Sequence, residues 1–292
     1  MEWEIQKFIQ YLHLVKKTTY NTEVSYERDM KKFAMYLKEH DISDFAIVTS
    51  EELTEYVKYL TDEGNAPSSI SRTVSSIKTF YNYLLNTEVI NRDPAQFIKA
   101  PKIVKKVPDT LTYEEVELFL SQPEGNSPKD IRDKAIVELM YSTGLRVSEV
   151  INLKLSDINL MERYLVCDDG NRQRIVPFSE KAKIYLKKYL DESREILIRK
   201  TATGVLFVNC HGAPMSRQGL WKIIKYYAEM ADIDKDITPH TLRHSFAAHM
   251  AECGTDLKFI QKVLGHSDIA TTQIYRDITE SSHRERCITG DK

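Results

Sequence analysis

The sequence predicts a mainly α-helical protein of two domains, and three observations support this. Apolar side chains recur at the 3.6-residue spacing of a helix through the first part of the chain. The only convincing strand signal is one hairpin between 164 and 177. A segment rich in lysine and proline separates two parts of a 292-residue chain, which exceeds the ~100–200 residues usual for one domain. We therefore predict a helical domain at 1–98, an extended linker at 99–110 and a second domain at 111–292.

Four helices are predicted in the first domain. Two of them carry apolar stripes, formed by Ile5, Phe8, Ile9, Leu12 and Val15 and by Tyr26, Met30, Phe33 and Leu37. The third begins at Thr49, with Glu52 completing a capping box, and stops at Gly64. The fourth begins at Ser68 or Ser69, and its stripe consists of Ile70, Val74, Ile77, Tyr81 and Leu84. Helices with such short connections are typical of a small bundle.

The linker contains a basic stretch without acidic residues. Residues 99–108 hold four lysines and two prolines, so they are predicted to be extended. Two interpretations stay open. The stretch is either a solvated tether or a strap along a phosphate backbone, in which case Lys102, Lys105 and Lys106 are candidate DNA contacts.

Helices dominate the second domain as well. A capping box at Thr112 and Glu115 begins one helix, and Ser127 followed by Pro128 begins the next. Two strands, 164–167 and 174–177, flank an Asp-Gly turn and form the predicted hairpin. Further helices are predicted at about 179–198, 216–231, 240–252, 256–264 and 267–276.

Composition limits the class of protein. The formal net charge of −2 gives no bulk signature of nucleic-acid binding, so any such claim depends on local charge placement. The four cysteines are far apart, which favours reduced thiols inside the cell. No stretch approaches ~18 apolar residues, and the first residues lack the layout of a signal peptide. We expect a soluble cytoplasmic protein that does not associate with membranes.

Two arginines and a histidine of the second domain are candidates for chemistry. Arg146 comes directly after a helix that should end in a left-handed turn at Gly144. His240 and Arg243 are one turn apart in a helix that has Pro239 in its first turn, so they should lie on one face.

A second histidine and a tyrosine complete the candidate set. His266 follows the predicted C-cap Gly265, in a turn between two helices. Tyr275 comes near the end of the second of these helices. Two arginine forks suit the oxygens of a phosphodiester, and a tyrosine hydroxyl becomes a nucleophile when a base such as histidine removes its proton. If the tyrosine attacks a phosphodiester in a nucleic-acid strand, the strand is cut and a phosphotyrosine ester forms. This ester retains the energy of the broken bond, so the strand can be rejoined without a nucleotide.

A metal site is not predicted here. His240 and His244 have a spacing that could suit zinc, but Thr241 occupies the place of the acid in H-E-x-x-H. We interpret His244 and His249 as packing or hydrogen-bonding residues, and we expect no cofactor.

These motifs resemble those of the tyrosine recombinase, or phage integrase, family, and specifically its Xer type. The resemblance extends over nearly the whole chain, and the matching stretches are 143–149, 240–249, 264–266 and 271–275. It implies an N-terminal four-helix, SAM-like core-binding domain in which 69–72 and 77–81 are similar to the family's core-binding helices, with Arg72 as a candidate DNA contact. It also implies that Arg146, His240, Arg243 and His266 activate the scissile phosphate and that Tyr275 attacks it.

One position departs from the family pattern. The hairpin of the family carries a lysine that protonates the leaving 5′-oxygen, and Asp169 stands at that position here. An ionised aspartate cannot donate a proton and repels phosphate. Three explanations stay open: an engineered change, a naturally impaired enzyme, or compensation by Arg172 or water.

The resemblance implies site-specific recombination through a 3′-phosphotyrosyl intermediate and a Holliday junction. We expect four subunits on two double-stranded DNA sites, of this chain alone or with a second recombinase, and a DNA translocase as a candidate activator. Chromosome-dimer resolution is the expected role, since 292 residues leave no room for an arm-binding domain. The alternatives are a mobile-element integrase and a non-catalytic DNA-binding descendant.

Overall fold

The computed structural model describes residues 1–102, 108–168, 173–198 and 203–265. The chain divides into two compact units, Met1–Lys105 and Lys106–Lys292. This division falls inside the predicted linker, and the domain bounds at 98 and 111 stay a prediction.

The N-terminal unit contains the four predicted helices. They are α1 (Glu2–Leu14), α2 (Tyr20–Glu39), α3 (Ser50–Asp62) and α4 (Pro67–Asn86). The capping box at Thr49 and Glu52 is present. Helix α4 begins at Pro67, one or two residues before the predicted start at Ser68 or Ser69, because the fixed φ of proline suits the first turn. Val15 is 64% exposed and lies after the end of α1, so its prediction as part of the apolar stripe is wrong.

Aromatic side chains fill the core of this unit. Phe8, Phe33, Phe45 and Phe80 are fully buried, and Phe80 packs edge-on against both Phe8 and Phe45. Edge-to-face pairs add to the free energy gained from burying the ring area. The apolar stripes predicted from the sequence therefore meet in one core.

The C-terminal unit begins with three helices. They are α5 (Tyr113–Ser121), α6 (Pro128–Thr143) and α7 (Val147–Asn152). The capping box at Thr112 and Glu115 is present, and the Ser127 hydroxyl accepts a hydrogen bond from the amide of Asp130. Helix α7 was not predicted, because its six residues are too few to show a period.

A small antiparallel sheet follows α7. It has the order β1 (Ile158–Asn159), β2 (Tyr164–Asp168) and β3 (Gln173–Pro177), with Leu165 opposite Val176. The predicted hairpin is confirmed, and each strand is one residue longer than predicted. The two-residue strand β1 was missed, because it is defined by its pairing with β2 and has no pattern of its own.

Helices complete the described part of the unit. They are α8 (Glu180–Lys188), α9 (Arg194–Ile198), α10 (Arg217–Met230), α11 (Pro239–Glu252) and α12 (Leu257–Leu264). A π-helical turn, Tyr189–Ser193, joins α8 to α9, so the predicted helix at 179–198 is one continuous element. The helix predicted at 267–276 lies outside the described residues. None of the helices in these described ranges combines the length and the apolar character that a membrane span requires.

Helix α6 is the centre of this unit. Eleven of its 16 residues are buried, and it packs against both α8 and α11. Burial on all sides brings charged groups into the core, and these are paired. Arg132 donates to Asp133 Oδ1 at 2.8 and 2.6 Å and to the carbonyl oxygen of Val208 at 3.2 Å. Helix α6 is thus embedded in the core, and Gly144 is the C-cap at its C-terminal end.

That end is a glycine in the left-handed conformation. Gly144 has φ of 61°, and a Cβ atom there would lie 2.5 Å from Phe246 Cδ1 and 2.8 Å from Leu264 Cδ2. Phe246 belongs to α11 and Leu264 to α12. The glycine therefore permits both the reversal of the chain and the close approach of two later helices.

We predict that Gly144→Ala destabilises the C-terminal unit more than Gly254→Ala does. Gly254 also has a positive φ, 77°, but a Cβ atom there would meet nothing within 4 Å. The Gly254 substitution should cost about 1–2 kcal/mol of backbone strain alone. The Gly144 substitution should cost a further ~1–3 kcal/mol, because the added methyl group overpacks the core.

The measurement is urea unfolding followed by the fluorescence of Trp221, in a background that carries Trp3→Phe at a side chain 64% exposed. Equal free-energy losses for the two alanine variants would show that the turn has room for a methyl group.

Candidate active site

Arg146 is placed by the turn at Gly144. It is the N-cap of α7, and its backbone N–H donates to Glu149 Oε2 at 2.7 Å. Its guanidinium donates through Nη1 to Glu149 Oε1 and through Nη2 to the carbonyl oxygen of Gly265, both at 3.1 Å. The side chain is 37% exposed, so part of it is accessible from solvent.

Arg243 lies beside it but is buried. It comes from α11, and its side chain is 5% exposed. Nη1 donates to the carbonyl oxygen of Gly144 at 2.6 Å, and Nη2 donates to that of Leu264 at 2.7 Å. His240, one turn earlier, is exposed at the start of the helix. The structure therefore brings the two predicted arginines together at the turn that ends α6.

A carboxylate that the sequence analysis did not assign joins these arginines. The Glu149 side chain is 8% exposed and lies 4.0 Å from Arg243 Nη1, in addition to its hydrogen bonds from Arg146. A signal for this residue was present, because Glu149 has the N3 position of a capping box at the start of α7. The six-residue helix was not recognised, so the signal was not used.

A third arginine was also missed. Arg174 of β3 donates through Nη2 to Glu149 Oε1 at 2.8 Å and through Nε to the carbonyl oxygen of Val263 at 2.8 Å. No local pattern marks it, because its partners are 25 and 89 residues away in the sequence.

The three arginines bind the C-terminal end of α12. The carbonyl oxygens of Val263, Leu264 and Gly265 each accept from a different one, namely Arg174, Arg243 and Arg146. The C-terminal end of a helix carries a partial negative charge and unpaired carbonyl groups, so cations are stabilising there. We call these three arginines and Glu149 the arginine cluster.

The arginine cluster has an excess of positive charge. Three guanidinium groups against one carboxylate leave two positive charges. A phosphodiester carries one negative charge, and it gains another in the five-coordinate transition state that forms when a nucleophile attacks its phosphorus atom. The cluster is electrostatically suited to stabilise this added charge.

A pocket opens beside Arg146. It has a volume of 690 Å³ and lies between α7 and the ends of β2 and β3, with Asp168 and Gln173 in its lining. Cys167 is also among the lining residues, and burial raises the pKa of its thiol to about 12. The thiol is therefore protonated at neutral pH and is not a nucleophile.

Several predicted site residues lie outside the described part of the chain. These are Lys105, Lys106, Asp169, His266 and Tyr275. Gly265, whose φ of 65° confirms the predicted C-cap, immediately precedes His266 in the sequence. The assignments of these residues stay predictions.

The remaining histidines of α11 have packing and hydrogen-bonding environments. His249 Nε2 lies 2.9 Å from the carbonyl oxygen of Leu111, and Nδ1 lies 2.8 Å from the Tyr141 hydroxyl. Burial, followed by the positive charges of His240 and Arg243, lowers the pKa of His244 to about 4. His244 is thus neutral at physiological pH.

The candidate DNA contacts of the N-terminal part differ in their surroundings. The Arg72 guanidinium donates to both oxygens of Asp29, a fully buried carboxylate, at 2.9 and 2.7 Å. Arg72 therefore has a structural partner, and its side chain is still 38% exposed. Lys102 is exposed. DNA contact by either residue stays a prediction.

Two family models match this chain. One describes the phage integrase family and matches residues 109–282, and the other describes the N-terminal SAM-like domain of phage integrases and matches residues 5–88. The matched ranges agree with the helical architecture of both units.

Curated relatives match nearly the full chain. A tyrosine recombinase XerD of Staphylococcus haemolyticus is 40% identical over 286 residues, which cover 98% of this chain and 97% of the relative. A tyrosine recombinase XerD of Halalkalibacterium halodurans is 41% identical over 283 residues, which cover 96% of this chain and 95% of the relative.

Solved structures share the fold. A crystal structure of XerH site-specific recombinase in a post-cleavage complex with its palindromic difH substrate has a TM-score of 0.79 at 19% identity and covers 100% of this chain and 85% of that chain. A crystal structure of XerA recombinase has a TM-score of 0.56 at 27% identity, covering 99% of this chain and 98% of that chain. Together with the arginine cluster and the two-part helical architecture, these matches show that the chain belongs to the phage integrase family, the tyrosine recombinases, and to its Xer type.

Proposed function

We propose that this chain is a tyrosine-type site-specific DNA recombinase that cuts and rejoins double-stranded DNA. The observation that carries the proposal is the arginine cluster, in which Arg146 and Arg243 meet at the end of α12 with two positive charges in excess. Such a site needs an anionic substrate whose charge increases during the reaction, and a phosphodiester meets both conditions.

In the proposed reaction, the Tyr275 oxygen attacks the phosphorus atom and loses its proton to a base. The bond from phosphorus to the 5′-oxygen breaks, and that oxygen takes up a proton and becomes a 5′-hydroxyl. A 3′-phosphotyrosyl ester remains on the protein. The 5′-hydroxyl of a second duplex then attacks this ester, restores the phosphodiester and returns the tyrosine, so no nucleotide is consumed.

The two arginines have different roles in this proposal. Arg146 is partly exposed and lines the pocket at the hairpin, so it offers N–H groups to the incoming phosphate. Arg243 is held from two sides by backbone carbonyl groups, which fixes the geometry of its fork before substrate arrives. Donors fixed in advance need no reorganisation in the transition state. His240 and His266 together contact the phosphate and transfer protons.

Exchange of one pair of strands between two duplexes gives a Holliday junction, and exchange of the second pair of strands resolves this junction. We propose that four subunits hold the two sites, either as copies of this chain or together with a second recombinase. Because the full-length relatives are named XerD, resolution of chromosome dimers in the cytoplasm is the role that we favour, with a DNA translocase as activator. The alternative role is integration of a mobile element, which uses the same strand-exchange chemistry.

Asp169 favours a second candidate function. If no other group protonates the leaving oxygen, the chain would bind its sites without cutting them, as a non-catalytic DNA-binding protein. General acid catalysis contributes about 10²–10⁴-fold to a rate, so its loss would slow cleavage severely and leave binding intact.

We expect Tyr275→Phe to abolish covalent attachment to DNA and to leave site binding within about threefold, because phosphate contacts dominate affinity. The target duplex is first selected from a randomised library by retention on the chain. A nicked version of that duplex then traps the covalent adduct, because the short 5′-hydroxyl fragment diffuses away. Denaturing gels measure the adduct. An adduct that persists in the Phe variant would exclude Tyr275 as the nucleophile, and tight binding without any wild-type adduct would favour the non-catalytic candidate.

The linker gives the complementary expectation. Replacing Lys102, Lys105 and Lys106 by Gln should weaken binding to all duplexes alike. The decrease of log affinity with log salt should also become less steep, by up to ~0.9 in slope per lost phosphate contact. Filter binding at several salt concentrations measures this slope. If the slope does not change, the linker is a tether.

The hairpin substitution gives a third expectation. Asp169→Lys should raise the cleavage rate by about 10²-fold or more, because it supplies a proton donor and removes a repelling charge. The gain should shrink on a substrate with sulfur in place of the bridging 5′-oxygen, since a thiolate leaves without a proton. The absence of any gain on the ordinary substrate would mean that another group already donates the proton, and Arg172→Ala then identifies whether Arg172 is that group.

A further inference from the structure

Arg174 connects three parts of the C-terminal unit at one point. Its Cα is in β3, its Nη2 donates to Glu149 of α7, and its Nε donates to the carbonyl oxygen of Val263 in the last turn of α12. Its guanidinium also lies against Gly265, where a Cβ atom would be 3.0 Å from Cζ and Nη1. The glycine that ends α12 thus leaves room for this side chain.

The requirement for arginine at this position is geometric. The planar guanidinium of Arg174 binds a carboxylate in one direction and a backbone carbonyl group in another. A lysine ammonium cannot make both contacts with the same reach. The side chain is 8% exposed, and its third nitrogen, Nη1, is buried without a hydrogen-bond partner among the described residues. Burying a charged group with an unbonded N–H costs free energy, so stability alone is a weak reason for placing an arginine here.

Through Glu149, Arg174 acts on the two arginines assigned to the substrate. Glu149 Oε1 accepts from both Arg146 and Arg174, and the other carboxylate oxygen lies 4.0 Å from Arg243. Without Arg174, the carboxylate would lose one of the two side-chain donors to Oε1, and it would be free to turn further onto the remaining arginines. Both the direction and the net charge that these arginines offer to a phosphate would then change.

We propose that Arg174 is a positioning residue for the strand-cleavage reaction. It fixes Glu149, and through Glu149 the forks of Arg146 and Arg243, and it holds the end of α12 against them. This inference rests on the proposed function, because its effect on the rate is visible only if the chain cleaves DNA. Its effect on α12 is visible without cleavage.

The variants are Arg174→Lys and Arg174→Met, with Arg132→Met as the matched control. Arg132 is also a buried arginine that binds one carboxylate and one backbone carbonyl group, but its partners are Asp133 and Val208, which are not part of the arginine cluster. The control therefore removes the same kind of interaction from the same unit.

The first measurement is single-turnover adduct formation on the nicked duplex at saturating protein. Misplaced reacting groups lower rates strongly, so both Arg174 variants should cleave about 10- to 100-fold more slowly, with affinity for the duplex within about threefold. The Arg132→Met variant, compared at a temperature where all proteins are folded, should cleave within about threefold of the wild type. Equal losses in the Arg174 and Arg132 variants would mean that only general stability is involved.

The second measurement uses a duplex with a methylphosphonate at the cleavage point, where a methyl group replaces one charged oxygen. A neutral linkage depends less on two well-placed arginines, so the ratio of wild-type to Arg174→Met rates should fall by about tenfold or more relative to the ordinary substrate. A ratio that is the same on both substrates would overturn the action of Arg174 through Arg146 and Arg243.

The third measurement is hydrogen exchange of the free, full-length chain. In Arg174→Met the amides in the last turn of α12 should exchange faster than in the wild type, while those of α6 should not change. Unchanged exchange in α12 would overturn the proposal. If the wild type forms no adduct, the proposed cleavage activity fails, and the exchange result alone decides whether Arg174 holds this helix end.

Discussion

Three guanidinium groups repel one another, and the structure places them together around one carboxylate and the end of one helix. Glu149 accepts from the backbone N–H of Arg146 and from two guanidinium groups, while α12 supplies three successive carbonyl oxygens. Neither partner alone would suffice, since one negative charge cannot balance three positive charges and a helix end offers only partial charge. What remains is a localised positive site in a chain whose formal net charge is −2. Local charge placement, and not composition, is therefore the feature of this protein that suits a nucleic-acid substrate.

Two glycines in the left-handed conformation make this arrangement sterically feasible. Gly144 ends α6 and lets Phe246 and Leu264 approach its backbone, and Gly265 ends α12 and lets the Arg174 guanidinium lie against it. Each glycine thus combines a chain reversal with a close approach that a side chain would prevent. The positions of the arginines follow from these turns, because Arg146 comes two residues after one glycine and donates to the carbonyl group of the other.

The parts of this structure that depend on neighbouring residues could be predicted from the sequence. The capping boxes at Thr49 and Thr112, the C-cap at Gly144 and the hairpin of β2 and β3 are local features, and each is present. The motifs around Arg146 and Arg243 also indicated the family. Helix α7 and strand β1 were missed because they are too short to have a period. Glu149 was not assigned a role because its six-residue helix was not recognised, although its capping position was a local signal. Arg174 was not assigned a role because its partners are 25 and 89 residues away, and neither propensity nor spacing encodes such contacts.

The contacts of the arginine cluster join residues that are far apart in the sequence. Arg146 and Gly265 are 119 residues apart, Arg243 and Gly144 are 99 apart, and Arg174 and Val263 are 89 apart. Closing such long loops costs chain entropy that the surrounding packed core offsets, so these contacts depend on the assembled unit. Since α12 follows the elements that carry all three arginines, a nascent chain has no assembled arginine cluster until this helix has been synthesised and docked. An unfinished or misfolded copy of the protein would then be unable to break the DNA that it meets.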